Sequence, residues 1–119
     1  MHESLLAKDT LELILKEAKS NNAAKVLKAK ITIYDTEDIS LESFKFHLKN
    51  YSEGTVADGM EVDIDFIQIP IVCNDCGNIF YADIHNYICD SCGSQNTYVS
   101  AEERITVDYI DVDIAEARL

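Results

Sequence analysis

No stretch of this chain approaches the ~20 consecutive apolar residues that a membrane-spanning helix requires, and it does not open with a basic start followed by an unbroken apolar run. Membrane insertion and export are therefore not expected, and a cytoplasmic setting is. Basic residues are scarce, 10 against 22 acidic ones for a formal charge of -12. That balance excludes a general attraction to DNA, RNA or anionic lipid, because phosphate binding needs clustered Lys and Arg. There is no Gly-rich phosphate loop, no Ser/His/Asp or Cys/His arrangement with ligands to spare, and no obvious nucleophile, so an enzyme is not expected. Internal repeats and low-complexity tracts are also missing. The single proline, Pro70, stops a strand from continuing as a central one.

What remains is a chain of 119 residues, 47% hydrophobic and 27% charged, suited to one folded unit or one unit with a staple. Residues 4 to 19 read as a helix with Leu5, Leu6, Ile14, Leu15 and Ala18 near one face. From Leu27 to Tyr34 the period becomes two, with Leu27, Ala29, Ile31 and Ile33 on one side of a half-buried strand. The acidic Asp35–Asp38 stretch reads as a solvated turn. Ser40 is the expected N-cap of a second helix carrying Leu41, Phe44, Leu48 and Tyr51, and Gly54 breaks it. A second strand alternates Val62, Ile64 and Phe66 with Glu61, Asp63 and Asp65. A third strand, Ile105 to Ile114, slips phase near Tyr109. Between these two strands the composition changes: residues 73–100 hold all four cysteines and five Asn or Gln, with no helical period. The fold class expected is α+β, a small sheet of about three strands with two helices, into which a four-cysteine domain is inserted. The boundaries expected are 1–69 plus 101–119 for the α+β domain and 70–100 for the insert.

Cys73 and Cys76 stand in CNDCG, and Cys89 and Cys92 in CDSCG. Two residues between thiolates let a tight turn present both sulfurs to one ion, and Gly77 and Gly93 can take the positive φ such turns need. Two such knuckles complete a tetrahedron. Disulfides are disfavoured in a reducing compartment, and a redox pair does not explain the duplication. Iron could occupy the same sulfurs, but zinc is the commoner ion in a closed structural pair of knuckles. Four protein ligands leave no open position, so the role expected is structural. Only Ile79, Phe80, Tyr81, Ile84, Tyr87 and Ile88 are available for burial between the knuckles. Metal binding of about 10–16 kcal/mol would dominate folding there.

The amino terminus, Met1-His2-Glu3, offers a second kind of site. An α-amine, the next amide nitrogen and the His2 Nδ1 can close adjoining five- and six-membered chelate rings around one ion. A fourth ligand, from the Glu3 amide or an outside group, completes the square-planar nitrogen field that suits Ni(II) or Cu(II). The amine must lose its proton, and its reference pKa is about 7.7–8.0, so affinity falls with pH. On the residues alone, an exposed terminal histidine is the commoner state of affairs. His47, on the second helix, and His85, between the knuckles, are the other imidazoles in the chain.

With MHE at its start, GTVADG at 54–59 and CxxCG at 73 and 89, the chain resembles the HypA family of hydrogenase nickel-incorporation proteins over nearly its whole length. The resemblance implies nickel at Met1, His2 and the backbone of Glu3, and zinc at Cys73, Cys76, Cys89 and Cys92 in a rubredoxin-like or zinc-ribbon domain. It implies transient Ni(II) and structural Zn(II), a HypB-type GTPase as partner, and delivery to a [NiFe]-hydrogenase large-subunit precursor, in some organisms also to urease maturation. A monomer or weak homodimer is expected. Two stretches depart from the family pattern: YDTEDIS after the first strand and SAEE at 100–103, ahead of the last strand, stand where glycines are usual. The reading from another class is a zinc-ribbon adaptor for protein partners, in which His2 is incidental; nickel titration of a His2 variant separates the two.

Overall fold

The computed structural model describes residues 3–36, 39–82 and 86–114. The elements run α1 (Glu3–Ser20), β1 (Ala23–Asp35), α2 (Leu41–Ser52), β2 (Glu61–Gln68), β3 (Ile71–Cys73), β4 (Ile79–Phe80), β5 (Thr97–Val99) and β6 (Arg104–Ile114). They form two three-stranded sheets, one in the order β2-β1-β6 and the other in the order β4-β3-β5. The α+β class and the inserted cysteine unit stand as read from the sequence. The strands flanking that unit, β2 and β6, do belong to one sheet, on either side of β1.

The chain divides into two compact units, Met1–Thr32 with Ser40–Asp65 and Ile105–Leu119, and Ile33–Ile39 with Phe66–Arg104. It passes from one to the other within β1, within β2 and at the start of β6.

In the first unit α1 packs on α2. Leu6, Ala7, Thr10, Leu11, Ile14 and Ala18 make the buried stripe of α1, the spacing a 3.6-residue period requires. Leu5 is not part of it, being 59% exposed; the buried stripe takes in Leu6 and Ala7, and Leu5 lies beyond its edge. Thr10 is buried and satisfied by donating to the Leu6 carbonyl at 2.7 Å. Phe44 and Leu48 of α2 are fully buried, and Ser40 caps the helix by accepting from the Ser43 N–H at 3.1 Å. On β1, Leu27 is 42% exposed, against the expectation that it shares the buried side with Ala29, Ile31 and Ile33, which are fully buried, as is Val26 before it. The Val26 N–H donates to the Val56 carbonyl in the GTVADG loop at 2.8 Å. That loop is shaped by Gly54 and Gly59, both with positive φ, and by Asp58 accepting from the Gly54 N–H at 3.1 Å.

Polar side chains tie the strands of this sheet. Lys30 of β1 reaches Asp65 at 2.9 Å and Asp63 at 3.5 Å on β2, and the hydrogen bond to Asp65 raises its pKa above the ordinary lysine value. On the other side, Thr32 donates to Asp108 of β6 at 2.5 Å and Thr106 donates to the same carboxylate at 2.7 Å. The Thr32 bond foremost, with Thr106 and the Lys30 charge, holds Asp108 below the usual carboxylate range. The phase slip expected in β6 falls here: Val107 and Ile110 are half-buried, while Asp108 and Tyr109 between them are exposed.

The acidic loop after β1 departs from expectation. Asp35 and Thr36 are buried; the Asp35 carboxylate accepts from the Thr36 N–H at 2.7 Å and its carbonyl from the Ile69 N–H at 2.8 Å. Residues 37 and 38 lie outside the described set.

Two measurements check this packing. Phe44→Ala removes a fully buried ring and is expected to cost about 3–5 kcal/mol in urea unfolding; a loss below about 1 kcal/mol contradicts the assigned core. Asp108, with a depressed folded pKa, contributes stability that is present above the unfolded pKa of ~3.9 and lost as pH falls through the lower folded value. Thr32→Val should flatten stability against pH below about pH 4 and leave the neutral-pH slope unchanged.

Candidate metal centre

The second unit has little to bury. Its described core cluster is Ile71, Cys73, Phe80, Ala82 and Cys89, so two of the five members are cysteines. The apolar residues between the knuckles do not fill the gap: Ile79 is 65% and Tyr81 59% exposed, and Tyr87 and Ile88 are exposed as well. Ile84 lies outside the described residues. Of the six side chains named as available for burial, Phe80 is the one buried among the described residues, a core still thinner than expected. The cause is the size of the sheet: β4 has two residues, so only one side chain of the pair can face inward.

What organises the unit is a pair of matching turns. In the first, the Cys73 N–H donates to the Asn78 carbonyl and the Gly77 N–H to the Cys73 carbonyl, at 2.9 and 3.0 Å. In the second, the Cys89 N–H donates to the Ser94 carbonyl and the Gly93 N–H to the Cys89 carbonyl, both at 2.9 Å. Gly77 and Gly93 have φ of 76° and 74°, a left-handed conformation that costs other residues about 1 kcal/mol or more. Each turn thus presents one buried sulfur, Cys73 or Cys89, and one exposed, Cys76 or Cys92.

The four sulfurs converge. All lie within 4.8 Å of one another, with Cys73 to Cys92 and Cys76 to Cys89 at 3.6 Å. Disulfide sulfurs are bonded at about 2.05 Å, so these are four separate thiols. Sulfurs around a tetrahedral zinc, with bonds of about 2.3 Å, stand about 3.8 Å apart. The donor set therefore fits a four-coordinate ion closed by protein alone.

The electrostatics of the quartet call for a cation. The Cys92 N–H, followed by Ser91 and the Asn78 amide, lowers the Cys89 thiol to about 6 against the effect of burial. The Ser94 N–H acts in the same direction on Cys92, but the neighbouring sulfurs, Cys76 first, together with burial outweigh it and push that thiol up to about 12. Cys76 is raised too, the Asn78 N–H notwithstanding, by burial and by Cys89. Four sulfurs this close cannot all ionise without a positive ion among them.

A polar clasp joins the turns. Asp75 accepts from the Ser94 hydroxyl and from the Asn96 amide, and the Asn74 amide donates to the Asn96 side chain at 3.1 Å. On the other side, the Asn78 amide donates to Asp90 at 2.6 Å and to the Cys89 sulfur at 3.7 Å. Sequence reading missed this clasp, although the abundance of Asn in the insert was its signal.

The other site residues are distributed as follows. Met1 and His2 lie outside the described residues. Glu3 opens α1, and its carboxylate accepts from the Ser40 N–H at 3.2 Å. His47 is half-buried on α2, its ring edge-on to Phe46 at 5.6 Å and stacked against Tyr51 at 6.4 Å. His85 lies outside the described residues.

Comparison with known proteins bears on the whole chain. A chain from Caldanaerobacter subterraneus named hydrogenase maturation factor HypA is 27% identical, with 95% of this chain and all of that one covered. Hydrogenase maturation factor HybF of Proteus vulgaris is 28% identical with the same coverage. The solution structure of the nickel metallochaperone HypA from Helicobacter pylori superposes with a TM-score of 0.64 at 22% identity, covering 98% of this chain and 100% of that one, which speaks for the fold. The family model described as hydrogenase/urease nickel incorporation, metallochaperone, hypA matches residues 1–112. By that match over nearly its whole length, the chain belongs to the HypA family of metallochaperones, which serve hydrogenase maturation and are not enzymes.

Proposed function

We propose that this chain binds Ni(II) at its amino terminus and delivers it to a [NiFe]-hydrogenase large-subunit precursor, with a HypB-type GTPase as partner, in the cytoplasm. The observation that carries the reading is the family match from residue 1 onward over a chain that begins Met-His-Glu. Within the described residues, the one cluster of potential metal ligands is the cysteine quartet, and four ligands around one ion leave no position from which to pass a cargo on. In this reading exchange takes place elsewhere, at the Met1 amine, His2 and the backbone of Glu3, as the family resemblance implies. Imidazole and amide nitrogens suit Ni(II), while thiolates suit zinc.

In this reading Cys73, Cys76, Cys89 and Cys92 hold Zn(II), which supplies folding free energy to a unit with a thin apolar core and takes no part in transfer. The boundaries follow the ligands, with residues 1–69 and 101–119 carrying nickel and 70–100 carrying zinc, in a monomer or weak homodimer. The Met1 amine binds as the free base, so acid releases the cargo by protonating it. The His2 Nδ1 orients the ion beside that amine. Copper ranks above nickel at nitrogen ligands, so selectivity rests on geometry and on docking to the receiving protein.

Calorimetry on untagged protein is expected to find nickel bound in equimolar amount, and His2→Ala to abolish it with zinc content and fold intact; unaltered nickel binding in that variant defeats the terminal site. Cys89→Ser should reduce zinc retained against a chelator and loosen the 70–100 region in hydrogen exchange, since metal binding there is folding free energy. Full zinc with unchanged protection would contradict a shared four-sulfur ion.

A further inference from the structure

Strand β6 stands at one end of the sheet β2-β1-β6, so one of its edges pairs with β1 and the other is left over. Among the described residues, no loop or turn sends a backbone hydrogen bond to that outer edge. An unpaired strand edge carries a row of N–H and C=O groups ready to accept another strand. Burial along β6 is also incomplete: Val107, Ile110 and Val112 are half-buried, and the other residues from Asp108 to Ile114 are exposed.

Beside this strand, within the first unit, lies a groove of 660 Å³ walled by α1 and β6. Leu13 of α1 and Val107, Ile110, Val112 and Ile114 of β6 line it. Leu13 is 45% and Ile114 63% exposed. An exposed apolar lining bordered by charged residues marks a contact surface.

Charge selects the occupant. Past Arg104, every charged residue of β6 is an aspartate, Asp108, Asp111 or Asp113, and all three are exposed. Successive strand side chains point to opposite faces, so Asp111 and Asp113 stand on the face away from Ile110 and Val112. Lys16 is the one cation in the groove wall, and Glu17 and Asp108 offset it. A second copy pairing antiparallel through this same stretch would set aspartates against aspartates, and like charges across paired strands destabilise them. Acidic residues on a free edge guard against self-association, but that duty leaves the apolar groove unexplained. A strand of opposite charge satisfies both features.

We propose that β6 is a docking edge for an extended segment of a protein partner in which basic and apolar residues alternate. The segment extends the sheet by one strand. Its apolar side chains enter the groove between α1 and β6, and its Lys or Arg side chains lie over Asp111 and Asp113. The surface shares no residue with the cysteine quartet and makes no use of nickel, so it stands independently of the function proposed above.

The experiment uses the full chain and blocked octapeptides as probes: one alternating lysine and valine, one alternating glutamate and valine, and one with the first peptide's composition arranged as a lysine block and a valine block. In NMR spectra the alternating basic peptide should shift the amides of β6 and the methyl groups of Leu13, Val107, Ile110 and Val112, and slow hydrogen exchange at alternate β6 amides. The glutamate peptide should shift none of them. Replacing both Asp111→Asn and Asp113→Asn, or the exposed Leu13→Ser alone, should each weaken binding of the basic peptide about 3–10-fold. Binding of the block peptide as tight as that of the alternating one reduces the effect to bulk charge and overturns the proposal, as do shifts centred away from β6. Protection of β6 that rises with protein concentration in the absence of peptide overturns it in favour of a second copy. The wild-type spectra decide the matter if a variant folds poorly.

Discussion

Four sulfurs drawn within 4.8 Å of one another are the constraint on which the second half of this protein depends. Thiolates repel, and thiols of this kind contribute little cohesion of their own. The turns that gather them use two positive-φ glycines and four backbone hydrogen bonds, which shape the site without supplying a core. With Phe80 as the one buried aromatic of the unit's core cluster, apolar burial is worth too little to offset the conformational entropy of ordering some 30 residues at ~1–2 kcal/mol each. A cation held by the four sulfurs would resolve both problems, neutralising them and adding its binding free energy to folding. The clasp formed by Asp75, Ser94, Asn96, Asn78 and Asp90 fixes the turns against each other and so restricts the cluster to one geometry.

The first unit is stabilised differently. Its helices bury Leu6, Ile14, Phe44 and Leu48 against one another and the sheet contributes Val26, Ala29 and Ile31, an ordinary apolar core that needs no ion. Its polar contacts are concentrated where chain segments must be held in place: Lys30 and Thr32 bridging β1 to its two neighbours, and Glu3 and Ser4 fastening the start of α1 to α2. The second pair fixes where α1 begins relative to α2. The apolar core of the first unit and the sulfur cluster of the second thus make different demands on an ion.

Much of this is legible in the residues. The alternation of Ala29, Ile31 and Ile33, the stripe of Phe44 and Leu48, the cap at Ser40 and the spacing of the four cysteines follow from period and turn chemistry, which act locally. The failures share a cause as well. Period alone puts Leu5 and Leu27 inside, because it cannot assign a side to apolar residues adjacent to a stripe; both are exposed. Composition makes Asp35 a solvated acid, yet its burial depends on Thr36 and on Ile69, more than thirty residues away in the sequence. The family resemblance, carried by MHE, GTVADG and the two CxxCG motifs, reaches further than the physics of composition, which stops at a small acidic protein with a metal clasp.

The central claim is that two ions occupy two chemically distinct places: zinc among sulfurs, nickel among nitrogens. X-ray absorption at both metal edges on doubly loaded, untagged protein tests it in one sample. The expected result is a zinc shell of four sulfurs at about 2.3 Å and a nickel shell of nitrogen scatterers with no sulfur. Sulfur in the nickel shell, or nitrogen replacing sulfur around zinc, would contradict it.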